Sequence, residues 1–262
     1  MTPRRSGSGH DGWSGGALAP SAWRASGAAA ALTWSARRMT WVEDEVAGVA
    51  EFVRPGDVCL DIGAEYGLYT WVLSALVGPS GRVHSVEPLP GPARWLRAAS
   101  RVLGSGNVTV HRNALGARAG HGELSLPRRW GLPVHGRAYL VEGTDGPGPN
   151  AEFSTARSVP APVRTLDELV RSEGIEKVGF VKADVEGAES GVLDGAHQTL
   201  LTHRPPLLLE VEDRHLRKYG ARPRDVLRRL QTYGYRPHRW RAGRWVDVPQ
   251  VGDDCRNYLF TI

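Results

Sequence analysis

The residues able to do chemistry in this chain are carboxylates placed beside glycines. Asp61 and Glu65 flank the turn of "VCLDIGAEYGLYT" (58–70), Glu87 closes "RVHSVEP", and Asp184 and Glu186 sit in "FVKADVEGAES". Gly63 and Gly67 allow a tight turn and close backbone approach, but the spacing is not G-x-G-x-x-G and no G-x-x-x-x-G-K-[ST] occurs. A pyrophosphate at this turn would face Asp61 and Glu65 at close range. The turn suits a cation, and S-adenosylmethionine, which carries an ammonium and a sulfonium but no phosphate, meets that requirement. Glu87, 26 residues after Asp61, then has the role of accepting ribose hydroxyls, a role it would also have with NAD.

These residues need strand tips to hold them, and the chain supplies the strands. "VCLDIG", "RVHSVEP" and "VTVHRNALG" are apolar strand patterns separated by "LYTWVLSALVG" and "ARWLRAASRVLG", which have helical spacing. The alternation resumes with "TLDELVRSEG", "KVGFVKADV", "ESGVLDGAHQTLLTH", "PPLLLEVE" and "PRDVLRRLQTYGY". Such β-α-β repetition predicts an α/β domain with a doubly wound, mostly parallel sheet of about seven strands. "RWVDV" and "NYLFTI" read as an antiparallel pair at its edge. Ligands of such sheets bind beyond the C-terminal strand ends, so Asp61, Glu87, Asn113, Asp184, Glu210 and Glu212 are the tips to examine. Asn113 suits either the adenine edge or a turn cap.

Residues 117–165 are loosened by Gly and Pro and are expected to form an inserted lid or substrate wall. Residues 1–38, rich in Gly, Ser, Ala and Arg, read as a flexible or lid-forming extension ahead of a domain spanning 39–262. The net charge of +5 comes from scattered arginines without a dense basic block, so no nucleic-acid partner is expected. No run of about 18 apolar residues occurs, so no membrane partner is expected either. Cys59 and Cys255 make no disulfide framework, which points to a reducing, cytoplasmic setting.

In their order and spacing, "DIGAEYGLYT", "VHSVEPLP", "TLDELV", "VKADVEGAESGVLDGA" and "LLLEVE" resemble the FkbM family of S-adenosylmethionine-dependent methyltransferases. The resemblance covers residues 41–262. It implies a Rossmann-like class I methyltransferase fold and methyl transfer, usually to a hydroxyl of a secondary metabolite, such as an antibiotic, or of a sugar. Members commonly carry Asn where this chain has Glu65, so the contacts to the methionine end are expected to differ.

The cofactor residues expected on this reading are Asp61, Gly63, Glu65, Tyr66, Gly67, Glu87, Pro88, Asn113, Ala114 and Asp184. Asp184 and Glu186 are expected to orient the acceptor, with Lys182 tuning a carboxylate. His215, just past the "LEVEDR" tip, is the candidate base, with Glu186 or Glu212 as substitutes. His84, His111 and His121 read as structural. Asp184 with Glu210 or Glu212 could chelate a divalent ion, but no metal is expected. The acceptor is expected to be a small molecule, the assembly a monomer or homodimer. Methylation of an amine is the close variant, and an NAD-dependent oxidoreductase the alternative from another class.

Overall fold

The computed structural model describes residues 44–262. The extension expected over 1–38 lies outside the described residues. A 3-10 turn, Asp44–Glu51, leads to the "RPGD" turn, where the Arg54 N–H donates to the Asp57 carboxylate at 2.7 Å. From there the chain runs through β1 (Val58–Ile62), α1 (Leu68–Val77), β2 (Arg82–Val86), α2 (Pro90–Leu103) and β3 (Val108–His111). The third strand breaks at Arg112 and Asn113 and resumes as β4 (Ala114–Leu115), which joins a different sheet.

The expected insertion has its own architecture. β5 (Gly120–Arg129), β6 (Leu132–Pro133), β7 (Tyr139–Leu140) and β8 (Thr155–Arg164) form, with β4, a five-stranded sheet around a long β5/β8 antiparallel ladder. Its apolar face, Leu124, Leu126, Leu140, Ala161 and Val163, packs with Leu89 and Ala114 from the main domain. Period-two burial along β5 drives this docking.

α3 (Leu166–Ser172) opens with a capping box: Glu168 N–H donates to Thr165 Oγ1 and Thr165 N–H to Glu168 Oε2, both at 3.1 Å. β9 (Phe180–Ala183) follows. The expected single helix over 189–203 is two, α4 (Glu189–Asp194) and α5 (His197–Thr202), interrupted at Gly195 and Ala196. A Cβ on Gly195 would stand 2.2 Å from the Gly116 carbonyl oxygen, so this break lets the insertion's entry strand approach. β10 (Leu207–Glu210), α6 (Asp213–Leu216), α7 (Pro223–Thr232), β11 (Arg236–Arg241), β12 (Arg244–Asp247) and β13 (Asn257–Thr261) complete the chain.

The main sheet has eight strands in the order β12-β11-β13-β10-β9-β1-β2-β3, with β10, β9, β1, β2 and β3 parallel. The edge differs from expectation. The strands in "RWVDV" and "NYLFTI" do not pair with each other, because β11 lies between them and pairs antiparallel with both. Both faces of the parallel strands are buried. Leu60, Ile62, Val86, Val181 and Leu209 pack against α3, α5 and α7, while Cys59, Phe180, Leu208 and Leu259 pack against α1 and the first 3-10 turn. This is a Rossmann-like arrangement, with β13 inserted antiparallel between β10 and β11. Among the described residues, no helix is long and apolar enough to cross a membrane.

Candidate active site

A cavity of about 310 Å³ opens at the C-terminal ends of β1, β2, β3, β9 and β10. Gly63, Glu65, Glu87, Pro88, Asn113 and Ala114 line one side, and Asp184, Glu186, Glu210 and His215 the other. The insertion supplies a third wall, from His135, Arg137, Tyr139 and Leu140.

Gly63 sits at φ 79°, and a Cβ there would stand 1.8 Å from the Asp184 carbonyl oxygen. Only glycine lets the first loop lie against the fourth. Glu65 follows at φ 44°, its N–H donating to Glu87 Oε2 at 2.9 Å. The other Glu87 oxygen accepts the Leu89 N–H at 2.7 Å. Two backbone donors therefore fix this carboxylate, and burial still pushes it up to about 7. Burial and Asp184 raise Glu65 as well. Asn113, also at the wall, donates its amide N–H to the adjacent Ala114 carbonyl at 2.9 Å, so its observed bond is that of a turn residue.

Three expected cofactor residues do not line the cavity. Asp61 belongs to the opposite sheet face, where Thr70 Oγ1 donates to it at 2.5 Å and in turn bonds Ser85 Oγ at 2.8 Å. Burial raises this carboxylate to about 6. Gly67 caps α1, and a Cβ there would collide with the Trp71 and Leu96 side chains. Tyr66 is outside the pocket wall, its hydroxyl bonded to His135 Nδ1 at 2.9 Å and its ring edge-on to Trp95.

Lys182 likewise points away from the cavity. It pairs with Asp61 in register and is 1% exposed, its Nζ 3.1 Å from Asn257 Oδ1 and 3.6 Å from Asp184 Oδ2. From the buried face the Lys182 ammonium reaches the Asp184 carboxylate and lowers Glu210 and Asp61, in keeping with the carboxylate-tuning role expected of it.

The chemically distinct cluster lies where β9 and β10 end. His215 Nδ1 is 3.3 Å from both Glu186 Oε2 and Glu210 Oε2. His215, just past the β10 tip as expected, sits on α6 and is 2% exposed. Glu186, at φ 56°, also has Arg137 Nε at 3.8 Å and Lys218 Nζ at 3.9 Å. Burial, then the Glu210 and Asp184 carboxylates, push Glu186 up to about 9. Burial raises Glu210 to about 7, while burial and Lys218 depress His215 to about 4.

The buried His215 Nε2, Glu186 Oε2 and Lys218 Nζ have no hydrogen-bond partner among the described residues. A neutral imidazole that donates from Nδ1 to a carboxylate keeps its Nε2 lone pair for accepting a proton. Glu186, Glu210 and His215 could also hold a metal ion, but Arg137 and Lys218 already put positive charge beside Glu186. Glu212 pairs instead with Arg214 and with Arg256 Nε at 3.0 Å, half-buried beside the cluster.

Arg137 and Lys218 were not visible as site residues in the sequence. Arg137 comes from the Gly-rich insertion, whose spacing carries no motif. Lys218 is one of three lysines in a chain of arginines, and that rarity was its one signal. Its ammonium lies 4.3 Å from the Tyr139 ring centroid, a contact between segments nearly 80 residues apart. Glu189 was visible only as a helix opener. It is 1% exposed and accepts the Val185 and Gly187 N–H groups, holding the Asp184–Gly187 loop in shape.

A family model described as the methyltransferase FkbM domain matches residues 61–237. The 31-O-demethyl-FK506 methyltransferase FkbM of Streptomyces tacrolimicus is 28% identical over 177 residues, covering 62% of this chain and 67% of its own. A protein-L-isoaspartate O-methyltransferase of Ignicoccus hospitalis is 40% identical over 58 residues, 22% of this chain and 28% of its own. The crystal structure of methyltransferase FkbM from Methylobacillus flagellatus aligns with a TM-score of 0.49 at 16% identity, covering 92% of this chain. The present chain spans 58% of that protein's length.

Proposed function

The chain belongs to the FkbM family of S-adenosylmethionine-dependent methyltransferases, and from that premise we propose that it methylates a hydroxyl of a small secondary metabolite or sugar. The supporting observation is His215, a buried imidazole held at 3.3 Å by two carboxylates on the cavity wall. An alcohol must lose its proton as the oxygen attacks, and a fixed neutral imidazole is suited to take it. The Streptomyces tacrolimicus relative, a methyltransferase of 31-O-demethyl-FK506, supports the same class of acceptor.

S-adenosylmethionine supplies an already activated methyl group when bound. Glu65, Glu87, Asp184 and Glu186 line the cavity, so its wall matches a cationic ligand and disfavours the pyrophosphate of NAD. Glu87, lining the cavity at the β2 tip, is the candidate acceptor for ribose hydroxyls, and the Gly63 turn lets backbone come close. Glu210 orients the imidazole through its Nδ1, and the wall from the insertion helps exclude water. The acidic wall also favours a cationic amine as acceptor, which is the second reading. Cys59 and Cys255 are both free, in keeping with a reducing cytoplasmic location.

Calorimetric titration with S-adenosylmethionine and with NAD, followed by methyl transfer to panels of polyhydroxylated and amine acceptors, tests the proposal. Methyl ether products are expected. Products carrying methyl only on nitrogen would overturn the hydroxyl assignment, and tighter binding of NAD would overturn the cofactor fit.

A further inference from the structure

At the opposite end of the parallel strands lies a second cleft, lined by residues that precede β1, open β2 and precede β9. Two histidines meet beside it. In the β2/β3 register His84 pairs with Thr109 and Val86 with His111, so both imidazoles project from one sheet face, two residues apart along it. His84 Nδ1 is 3.0 Å from His111 Nε2, with ring planes within 17° of each other. Glu173, the residue closing α3, brings a carboxylate oxygen so that all three donor atoms lie within 4.8 Å of one another.

We propose that His84, His111 and Glu173 form a binding site for one divalent transition-metal ion of the zinc class. Two imidazole nitrogens and one carboxylate are a donor set that suits zinc and its neighbours, and suits magnesium and calcium poorly because those ions want oxygen. Zinc holds such ligands at about 2.0–2.2 Å in tetrahedral geometry, which sets donors roughly 3.3 Å apart. The 3.0 Å nitrogen pair needs to open by only a few tenths of an ångström.

The ligands come from three elements, β2, β3 and the end of α3, so an ion here ties the helix to the sheet edge. Burial lowers both imidazoles, favouring the neutral form that ligates. Arg82 faces His84, and Arg97 and Arg164 face His111, while Glu173 is the carboxylate acting on both. Asp57 and Glu176 add acidic groups to the adjoining cleft. The site also has a route to the cavity, since the His111 carbonyl accepts the Glu87 N–H at 3.0 Å.

The test uses the full chain, stripped with chelator and titrated with zinc chloride and separately with magnesium chloride at pH 7, alongside thermal melts. One zinc per chain and a raised Tm are expected, with no response to magnesium. His84→Gln, His111→Gln and Glu173→Gln should each weaken zinc binding by more than the roughly 10–100-fold that loss of a mere supporting residue costs. Glu173 is exposed, so Glu173→Gln reports on the site even where a histidine variant fails to fold. His215→Gln distinguishes the Glu186–Glu210–His215 cluster. No zinc uptake, uptake unchanged in Glu173→Gln, equal binding of magnesium, or loss of zinc only in His215→Gln would each overturn the assignment.

Discussion

Glu87 and His215 carry separable roles, and single substitutions separate them. Both Glu87 oxygens accept backbone N–H groups from the loops around the cavity. Glu87→Gln replaces one acceptor with a donor that opposes an N–H. Affinity for S-adenosylmethionine is expected to fall by about 1.5–3 kcal/mol, tenfold or more, measured by calorimetry. His215→Asn should instead keep cofactor affinity and lower turnover by roughly 10²–10⁴. Because His215 is depressed to about 4, its base form is already dominant at neutral pH, and the acidic limb of the wild-type turnover profile should lie below the imidazole's ordinary 6.5. An unchanged limb and rate in His215→Asn would move the base to Glu186 or Glu212. Strand-tip reasoning reached Glu87, Asp184, Glu186 and His215 from sequence, because a parallel sheet fixes which strand ends face the ligand. The same reasoning misplaced Asp61, which lies on the sheet face that α1 covers, because whether the last side chain of a strand faces the pocket or the packed layer depends on where the strand ends. Lys182 lies on that face too, yet pairs with the Asp184 carboxylate as expected.

Loops and helices position those residues through a few close approaches, and glycine substitutions test them. Gly63→Ala would push a Cβ to 1.8 Å from the Asp184 carbonyl oxygen at a positive φ, forcing the first and fourth loops apart. A lower Tm and loss of S-adenosylmethionine binding are expected together. Gly78→Ala, at φ 65° and ψ −168° with nothing within 4 Å of the added carbon, should cost only backbone strain of about 1–3 kcal/mol and leave cofactor affinity intact. If the two variants behave alike in a binding titration, the loop contact is not what shapes the cavity. The β-α-β order and the helix starting at Thr165 were legible because their periodicity and capping residues are local. β11, "RPHRWR", was not, since its mostly polar, half-buried side chains show no clean alternation. The break of the third strand at Asn113 was equally hidden. It depends on β4 pairing with β8, some 50 residues later, in another sheet.

The acidic wall that admits a cation is a liability for the ligand-free fold as a whole, and its sign can be worked out. Burial raises Asp61 to about 6, Glu87, Glu189 and Glu210 to about 7, and Glu186 to about 9. A carboxyl raised in the folded state binds a proton that the unfolded chain has lost, so its stabilising effect is full below about 4.5 and disappears as pH rises through the folded value. His84 and His215, depressed to about 4, act oppositely, and their effect saturates once pH exceeds the unfolded 6.5. The two sets oppose each other between about 4.5 and 6.5, and above that the carboxyls dominate until Lys218, depressed to about 8, opposes them as pH rises through its folded value. The Tm of the ligand-free protein is therefore expected to fall from pH 6.5 to 8, by roughly 2–4 °C for each kcal/mol lost. A bound cation stabilises the ionised carboxylates of the cavity wall, so binding should release protons and the Tm gain from S-adenosylmethionine should grow across the same window. Melting curves at half-unit pH steps, with and without ligand, measure both effects. A ligand-induced gain that shrinks with rising pH would mean that the wall carboxyls bind the cofactor as neutral hydrogen-bond donors rather than as the anions that the cation requires.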